Sequence, residues 1–339
     1  MNFDFDDDQR SIKSTAREFL ASRSKFEKVR ECSEGGHYDE AIWKEMIDLG
    51  WAGIFIPEQY GGQELGVVEL VILQEELGYA VTPSPFFSNA AAGLMVLHAG
   101  SDEQKERLLP GVASGEATGT VGILHDGSAP LVPDAEAASF IVLAGEGDTT
   151  RIVEAGDAKI EHRDTIDGTR SFARVSGEGE EMPGDAGAGL DRACAALAAE
   201  LTGCSQRAME MAVEYAKDRK QFERPIGAYQ GVSHRCAEML LETEGARAAT
   251  YYAGWAADHE PESLPAAASM AKAYASDAGW RVTASSLQVH GGIGFTWEHD
   301  LHFLLKRAKT DGHLLGGASW HRDRVAKIAG LGDAVIAQV

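Results

Sequence analysis

The chain has 339 residues, of which 44% are apolar and 25% charged, a composition typical of globular rather than disordered proteins. At roughly 100–200 residues per domain, this length predicts two or three domains. Aspartate and glutamate outnumber lysine and arginine by 53 to 31, which gives a net charge of −22. That charge argues against nucleic acid or an anionic membrane surface as a general partner, and an anionic ligand would need a local basic site.

The first residues, MNFDFDDDQR, are acidic and polar, unlike a secretory signal or a transit peptide. No run of about 18 apolar residues follows, so no membrane-spanning helix is predicted. The four cysteines lie far apart without metal-ligand spacing, which predicts buried or half-buried reduced thiols and no metal site. We therefore expect a soluble, cytoplasmic protein.

Residues 1–115 are predicted to form an N-terminal helical domain, because apolar residues recur there at helical spacing. The run GVVELVILQEELG is apolar on most faces, which predicts a buried helix that ends at Gly78. Ser101 and Gln104 have the spacing of a capping box, which predicts a helix from that point through Leu109.

The composition changes at residues 116–187, which we predict to be a reduced β domain. Short β-favouring runs alternate there with glycine, aspartate and proline: TGTVGIL, SFIVLA, TRIVEA, AKIEH and SFARVS. Their spacing predicts an antiparallel meander. Residues 188–339 return to helical periodicity and are predicted to form a C-terminal helical bundle. Helices are predicted over residues 189–218, 229–258, 266–287, 299–313 and 319–329.

The stretch DRKQFERPI, residues 218–226, follows the first long helix of this bundle. One interpretation is a basic helix end, where the helix dipole favours cations. The other is a site for an anion and a ring, formed by Arg219, Arg224, Gln221 and an exposed Phe222. A guanidinium group matches phosphate geometry, and a phenyl ring offers a stacking surface.

The stretch QVHGGIGF, residues 288–295, places three glycines within four positions. Such a segment lets the backbone approach a ligand and present N–H donors to it, or it simply ends a helix. His290 has no aspartate or nucleophile near it in the sequence, and we assign it no acid–base role.

Together and in this order, RKQFxRPIxxxQ and QVHGGxG resemble the motifs of the acyl-CoA dehydrogenase family, and the resemblance extends to WAGIFIPEQYGG near the start. It implies a mainly α fold with an N-terminal helical domain, a middle β domain and a C-terminal four-helix bundle, assembled as a dimer or a dimer of dimers. It also implies oxidation of an acyl-CoA to the trans-2-enoyl-CoA. In that reaction a glutamate removes the α-proton, and FAD accepts a hydride and passes electrons to an electron-transfer flavoprotein.

The resemblance further implies which residues contact FAD. Arg219 and Gln221 match positions that hold the pyrophosphate, and Phe222 matches one near the adenosine half. In the family, both motifs reach across the dimer interface to the FAD of the neighbouring chain. A diphosphate held by one arginine and backbone donors is compatible with an acidic protein. The full set of expected cofactor contacts is Arg219, Gln221, Phe222, Gln230, Gln288, Gly291 and Gly292.

The catalytic glutamate of the family is absent at both of its known positions, so no catalytic residue is assigned. The Tyr-Glu-Gly-Thr segment of most members corresponds here to HLLGG, which puts Leu315 at the glutamate position. The alternative position falls at Ala193. Asp191 is rotated from it by about 200° and is expected to point away, as a first-turn or N-cap acid. Glu200 shares the face of position 193 but lies about 10.5 Å along the helix axis.

The segment that binds the flavin ring in complete relatives, similar to Ala-x-Thr-Glu-Pro, is also missing. The matching region reads VGILHDGSAPLVPDAEAASFIVLA, and strands expected before VPDAEAASFIVLA are deleted. We therefore expect that this chain does not hold an isoalloxazine ring and an acyl-CoA on its own.

These observations predict an FAD-dependent acyl-CoA dehydrogenase, an oxidoreductase acting on CH–CH bonds, that is active only with a larger catalytic partner subunit. The chain would be the non-catalytic subunit of an α2β2 heterotetramer, similar to the small subunits of actinobacterial steroid-type enzymes, and the partner would bind most of the acyl-CoA. Two alternatives stay open. One is a complete homo-oligomeric enzyme with Asp191 or Asp311 as an unusual base, and the other is a flavin-free scaffold subunit.

Overall fold

The computed structural model describes residues 4–145 and 150–331, and the structural statements below concern those residues. The outer ends of the predicted first and third domains, 1–115 and 188–339, lie outside them. Within the described ranges, no helix is both long and apolar enough to cross a membrane. The four cysteines are free thiols, three of them buried, in agreement with the sequence-based expectation.

The N-terminal part is helical. The predicted capping box is present, because the Ser101 hydroxyl accepts the Gln104 backbone N–H at 3.2 Å and the Gln104 side chain accepts the Ser101 N–H at 2.9 Å. The helix that begins there continues past Leu109 to Ser114 and includes Pro110. The helices of this part are α1 (Asp7–Arg23), α2 (Phe26–Gly35), α3 (Glu40–Asp48), α4 (Val67–Ala80), α5 (Phe86–Ala99) and α6 (Asp102–Ser114).

The β region that follows consists of two sheets. Its strands are β1 (Gly119–Ile123), β2 (Ala129–Pro133), β3 (Phe140–Ala144), β4 (Arg151–Glu154), β5 (Lys159–His162), β6 (Phe172–Ser176) and β7 (Glu180–Glu181). One sheet has the order β1-β3-β4-β7 and the other β2-β6-β5. β1 and β3 run parallel, because β2, which lies between them in sequence, belongs to the other sheet. The predicted antiparallel meander is wrong at this point, and β2 was missed because its two prolines are unusual in a strand.

The C-terminal part is a bundle of long helices, found close to the predicted ranges. A two-stranded hairpin separates the first two helices. The elements are α7 (Ala186–Asp218), β8 (Lys220–Gln221), β9 (Arg224–Pro225), α8 (Gln230–His259), α9 (Leu264–His290), α10 (Leu301–Asp311) and α11 (Ala318–Ile328). The N-cap of α7 is Asp185, whose carboxylate accepts the backbone N–H of Ala188 at 3.1 Å.

Helices α4 and α7 approach each other closely through two glycines. A β-carbon on Gly78 would lie 2.1 Å from the carbonyl oxygen of Glu200, and one on Gly203 would lie 1.9 Å from that of Glu75. Gly78 therefore permits this contact and does not end α4, which continues to Ala80. The sequence predicted the burial of α4 correctly but misread the role of its glycine.

A group of six buried ionisable side chains ties the β region to the helices, and we call it the buried ion cluster. Its members are Asp134, Asp167, Arg170, Glu200, Arg307 and Asp311. Arg170 donates to Asp311 at 2.8 Å and to Glu200 at 2.9 Å. Arg307 donates to Asp167 at 2.8 Å and also binds Glu200. These contacts join the loop between β5 and β6 to α7 and α10.

Candidate cofactor-binding face and internal cavity

The motif at Arg219 forms a tight hairpin directly after α7. Its two-residue turn consists of Phe222 and Glu223, with φ of 51° and 66°. Positive φ at both central positions is the pattern of a type I′ turn, which strongly favours glycine, asparagine and aspartate. Phe222 is nevertheless 87% exposed. The hairpin thus holds an aromatic side chain in solvent with a backbone conformation that disfavours it, which leaves the ring accessible to a ligand.

The polar side chains of this hairpin have different surroundings. The guanidinium carbon of Arg224 lies 4.0 Å from the ring centroid of Tyr229, whose hydroxyl donates to the backbone oxygen of Gln221 at 3.1 Å. Arg219 is exposed, and its side chain forms no hydrogen bond or ion pair with any other described residue. Arg224 therefore supports the hairpin, whereas Arg219 is available for an anion.

The glycine motif begins where α9 ends. Gly291 has φ of 65° and ψ of −139°, a conformation that is essentially restricted to glycine. A β-carbon on Gly291 or on Gly292 would meet no other atom within 4 Å. The backbone at these two residues is therefore open to a ligand that approaches from outside the chain. Gln288, on the last turn of α9, is also exposed.

An aromatic contact holds the two motifs at the same end of α7 and α9. The His290 ring lies 4.6 Å from the Tyr215 ring, at an interplanar angle of 26°, and Tyr215 precedes Arg219 by one helical turn. Burial lowers the pKa of His290, and its Nδ1 lies 2.8 Å from the Ser286 carbonyl oxygen. His290 thus packs between helices, without an acid–base role. We call the residues presented at this end the outer face: Arg219, Gln221, Phe222, Gln230, Gln288, Gly291 and Gly292.

A cavity of about 970 Å³, here called the internal cavity, lies between the β region and helices α5, α7 and α11. Much of its wall is apolar and includes Phe87, Val121, Leu131, Leu190 and Leu315. Leu315, the residue at the expected glutamate position, therefore does face a cavity. The side chain present there cannot accept a proton.

The loop that carries Leu315 is held by buried polar groups. The ammonium group of Lys272 donates to the carbonyl oxygens of Gly312 at 3.3 Å and Gly316 at 3.1 Å. His321 Nε2 lies 3.1 Å from the carbonyl oxygen of Leu315, which has an unusual left-handed φ of 54°. Burial lowers the pKa of Lys272 to about 8. The loop geometry is thus fixed around an apolar residue.

Asp191 lines the internal cavity, which corrects the expectation that it points away. Because α7 begins at Ala186 and is capped by Asp185, Asp191 lies beyond the first turn and does not cap the helix. It shares the cavity wall with Cys194, whereas Ala193 is buried in the core. Both oxygens of Asp191 are bound by the guanidinium of Arg324, one of them at 2.8 Å. This carboxylate is therefore already paired within the chain.

Asp311, the other alternative base, does not line the internal cavity but belongs to the buried ion cluster. Burial and the neighbouring Glu200 carboxylate raise the pKa of Asp311 to about 8, against the effect of the two arginines. Burial also opposes ionisation of Glu200, but Arg170 and Arg307 outweigh it and hold the pKa of this carboxyl below its ordinary value. Neither carboxyl group is placed to reach a ligand in the cavity.

A tight turn joins β1 to β2 at the mouth of the internal cavity, in the region that matches the flavin-ring segment. His125 and Ser128 exchange two backbone hydrogen bonds of 2.8 and 3.1 Å, and the turn residues Asp126 and Gly127 have φ of 50° and 80°. Asp126 is exposed and is the second carboxylate among the described lining residues. The five residues between the two strands, 124–128, are closed by this turn and leave no longer loop to bind the polar edge of a flavin ring.

The polar side chains buried in the cavity wall are also engaged within the chain. The Ser88 hydroxyl donates to Asp134 at 2.6 Å, and the Cys194 thiol lies 3.9 Å from the Leu315 carbonyl oxygen. His321 contacts Ser269 Oγ as well as the carbonyl of Leu315. The wall therefore does not fit an isoalloxazine ring. The outer face, with a free arginine, an exposed phenyl ring and open glycine backbone, fits the diphosphate and adenosine half of FAD.

Two family models match the chain. The acyl-CoA dehydrogenase N-terminal domain matches residues 6–116, and the acyl-CoA dehydrogenase C-terminal domain matches residues 185–330. The chain belongs to the acyl-CoA dehydrogenase family. Members of this family are FAD-dependent oxidoreductases, and the predictions of the family and of a mainly α fold with a small middle β region are confirmed.

Individual relatives agree with this assignment. Acyl-CoA dehydrogenase IpdE2 of Mycobacterium tuberculosis is 35% identical over 280 residues, which cover 82% of this chain and 83% of that protein. Among solved structures, the Tcur3481-Tcur3483 steroid ACAD is 27% identical with a TM-score of 0.88 and covers 96% of this chain and 99% of that one. The ChsE4-ChsE5 complex from Mycobacterium tuberculosis shares the fold, with 24% identity, a TM-score of 0.88, and coverage of 97% and 99%.

Sequence reasoning missed several residues that shape the site. Arg324, which pairs with Asp191, lies 133 positions away from it, and Lys272 lies 44 positions from Gly316. No local spacing could reveal these pairs. The composition gave a general signal, because carboxylates outnumber cationic side chains in the whole chain. A buried arginine is therefore expected to find a carboxylate partner within the chain.

Proposed function

We propose that this chain is the non-catalytic subunit of a heteromeric, FAD-dependent acyl-CoA dehydrogenase, with an α2β2 assembly. Its partner supplies the base and the flavin-ring pocket, and binds most of the acyl-CoA. This chain supplies the outer face, which completes the FAD site of the partner across the subunit interface. When bound, FAD accepts the hydride that the family's reaction releases and passes electrons to an electron-transfer flavoprotein.

The observation that carries the proposal is the state of the carboxylates around the internal cavity. Leu315 occupies the glutamate position, and Asp191 is bound through both oxygens by Arg324. A general base must be free to accept a proton and lie within reach of the substrate. The second carboxylate of the described lining, Asp126, is on the exposed turn at the mouth. This wall therefore supports binding better than proton removal.

The outer face supports the other half of the proposal. Arg219 has no partner among the described residues, and the ring of Phe222 is held out into solvent. The phenyl ring of Phe222 leaves apolar surface in water, and the guanidinium of Arg219 matches phosphate geometry, so the two suit a dinucleotide that carries a diphosphate and an adenine ring. Neither residue lines the internal cavity, which is compatible with a cofactor held mainly by another chain.

A bulky acyl-CoA is the substrate class that we propose. The similar Tcur3481-Tcur3483 protein is described as a steroid ACAD, and its name joins two components. An assembly with half the usual number of active sites leaves more space for a large acyl group. This part of the proposal depends on analogy between relatives.

The test is expression of the full chain alone and together with a candidate partner, followed by flavin absorbance and turnover measurements. The chain alone should be colourless, and the co-purified complex should be yellow and active. Arg219→Ala should weaken FAD retention in the complex by about 10- to 100-fold, the loss expected for one charge-assisted hydrogen-bonding group. Arg163→Ala, an exposed arginine of the β region, is the matched control.

Two outcomes would reject the proposal in different ways. A yellow, active homo-oligomer formed by this chain alone would show that it is a complete enzyme. Unchanged FAD content in the Arg219→Ala complex, equal to that of Arg163→Ala, would favour a scaffold that contributes nothing to the cofactor.

A second candidate is a complete enzyme that uses Asp191 as its base, because this residue lines the internal cavity. Under that alternative, Asp191→Asn abolishes turnover and leaves flavin bound. Under our proposal, the variant loses the ion pair with Arg324 and some stability, roughly 1–3 kcal/mol, while turnover of the complex is kept. Steady-state rates and urea unfolding of the same preparation separate the two.

A further inference from the structure

We propose that the internal cavity binds an uncharged ligand with a fused alicyclic ring system, as an accessory site that carries out no chemistry. The inference rests on the proposed function, because it takes the chain to be the non-catalytic subunit. It adds a ligand to a cavity for which that function alone gives no use.

The size of the cavity favours a broad, rigid ligand. Its volume of about 970 Å³ lies at the upper end of the range of about 300–1,000 Å³ found for small-molecule sites. A single extended acyl chain is about one methylene wide and would leave much of this space to water. A fused ring system instead contacts opposite walls at once, such as Phe87 on α5 and Leu131 on β2.

The charge pattern of the wall favours a ligand body without charge. Asp191 and Arg324 neutralise each other, and the buried Ser88, Cys194 and His321 have partners within the chain. Two charged lining residues have no ion-pair partner among the described residues: Arg151, which donates to the carbonyl oxygen of Gly177, and Asp126, on the exposed turn at the mouth. Away from these two side chains, a charged group placed against the wall would lose its hydration and gain no free counterion. An apolar body displaces water from the wall without breaking any of these contacts.

The mouth of the cavity provides the polar recognition. The Trp320 indole, 55% exposed, stands edge-on to His321, and its ring offers an apolar surface at the entrance. His313 lines the same region, and burial together with Lys309 and Lys272 lowers the pKa of its imidazole. A neutral imidazole can donate or accept one hydrogen bond, which suits a carbonyl or hydroxyl group at one end of the ring system.

The test uses androst-4-ene-3,17-dione as the ring probe and 2-undecanone, which is also an uncharged ketone, as the linear probe. Binding is measured by calorimetry on the full chain or, where the chain is obtained only with a co-purifying subunit, on that complex. We expect saturable one-to-one binding of the ring probe, at least about tenfold tighter than the linear probe. Leu131→Trp and Leu190→Trp, which fill the cavity, should each weaken it by about tenfold or more.

Matched variants make the result interpretable. Leu240→Trp adds the same side chain on the exposed face of α8 and should leave binding unchanged. Trp320→Ala removes the ring at the mouth without touching the core and should weaken binding even where a cavity-filling variant fails to fold. Circular dichroism and thermal unfolding identify any such failure.

Several results would overturn the inference. These are the absence of saturable binding, equal binding of both probes, or binding that the cavity-filling and Trp320 variants leave unchanged. Saturable riboflavin binding that the cavity-filling variants abolish would show a flavin pocket instead. Loss of probe binding when a partner subunit is added would show that the partner fills the cavity. The Arg219→Ala experiment is independent of all these results, so a failure here leaves the proposed function standing.

Discussion

The hairpin after α7 and the buried ion cluster both depend on arginine, but their arginines have opposite surroundings. Arg170 and Arg307 are buried and form hydrogen bonds with carboxyl groups from three segments of the chain. Arg219 is exposed and has no partner among the described residues. The side chains of the first two arginines join separate segments of the fold, whereas the side chain of Arg219 has no partner in it and is available to a ligand.

The same contrast separates the internal cavity from the outer face. Around the cavity, Asp191 is paired and the loop at Leu315 is fixed by Lys272 and His321. On the outer face, the backbone of Gly291 is open and Phe222 is in solvent. Polar groups around the cavity are thus satisfied within the chain, whereas those of the outer face are not, which is the pattern that the proposed function requires. The predictions below test that distinction.

The largest effect is expected from Arg307→Ala, which removes one of the two guanidinium groups of the buried ion cluster. Asp167 and Glu200 would then be buried with too few partners, which costs about 3–5 kcal/mol of unfolding free energy. Urea unfolding monitored by circular dichroism measures this loss. Arg281→Ala, which breaks an exposed pair with Glu242, should cost less than about 1 kcal/mol.

Equal losses for Arg307→Ala and Arg281→Ala would contradict the structural role of the cluster. Where Arg307→Ala yields no folded protein, Arg307→Lys keeps the charge but not the forked geometry, and should give an intermediate loss. A fully stable Arg307→Lys variant would show that geometry is unimportant there.

The sequence was sufficient for the fold class and for features with local causes. The capping box at Ser101 and the exposure of Phe222 follow from neighbouring residues, and both are present. Gly78 was misread because a glycine that ends a helix and one that admits a neighbouring helix look alike without the neighbour. The outer face, as a cofactor site, stays a prediction.

The internal cavity could not be predicted from sequence, because residues of α5, β1 and α11 meet only in the folded chain. Asp191 illustrates the reason. The sequence placed the start of the helix at 189, which made Asp191 a first-turn residue, but Asp185 caps the helix and α7 begins three residues earlier. Its partner Arg324 is 133 residues away, so no periodicity could indicate the ion pair.

A smaller and pH-dependent effect is expected at Asp311. Burial and Glu200 raise the pKa of Asp311 from an ordinary 3.8 to about 8, with Arg170, Arg307, Asp167 and Lys272 as its other charged neighbours. Its contribution to stability is therefore complete below about pH 4 and is lost as the pH rises through about 8. Asp311→Asn keeps this side chain neutral, so its stability relative to the wild type should rise between about pH 5 and 8.

Urea unfolding at several pH values below about 8 tests this expectation. Higher pH is avoided because Lys272, with its pKa lowered to about 8, contributes a rise in stability with pH above that point. Parallel stability curves for Asp311→Asn and the wild type would show that Asp311 is ionised in the folded protein. Turnover of the complex should be unaffected, because Asp311 does not line the cavity.

The smallest effect on stability, and the sharpest separation of the two regions, is expected from Phe222→Gly. Glycine adopts the φ of 51° without strain, so unfolding free energy should stay the same or rise by up to about 1 kcal/mol. FAD retention in the complex should fall by about two- to tenfold, because a ring contact worth roughly 0.5–1.5 kcal/mol is lost.

Phe222→Tyr, which keeps the ring, is the control and should retain FAD. A Phe222→Gly variant that is less stable and binds FAD normally would mean that this ring stabilises the fold. Phe222 would then resemble the residues of the interior, and the contrast between the outer face and the interior would not hold for it.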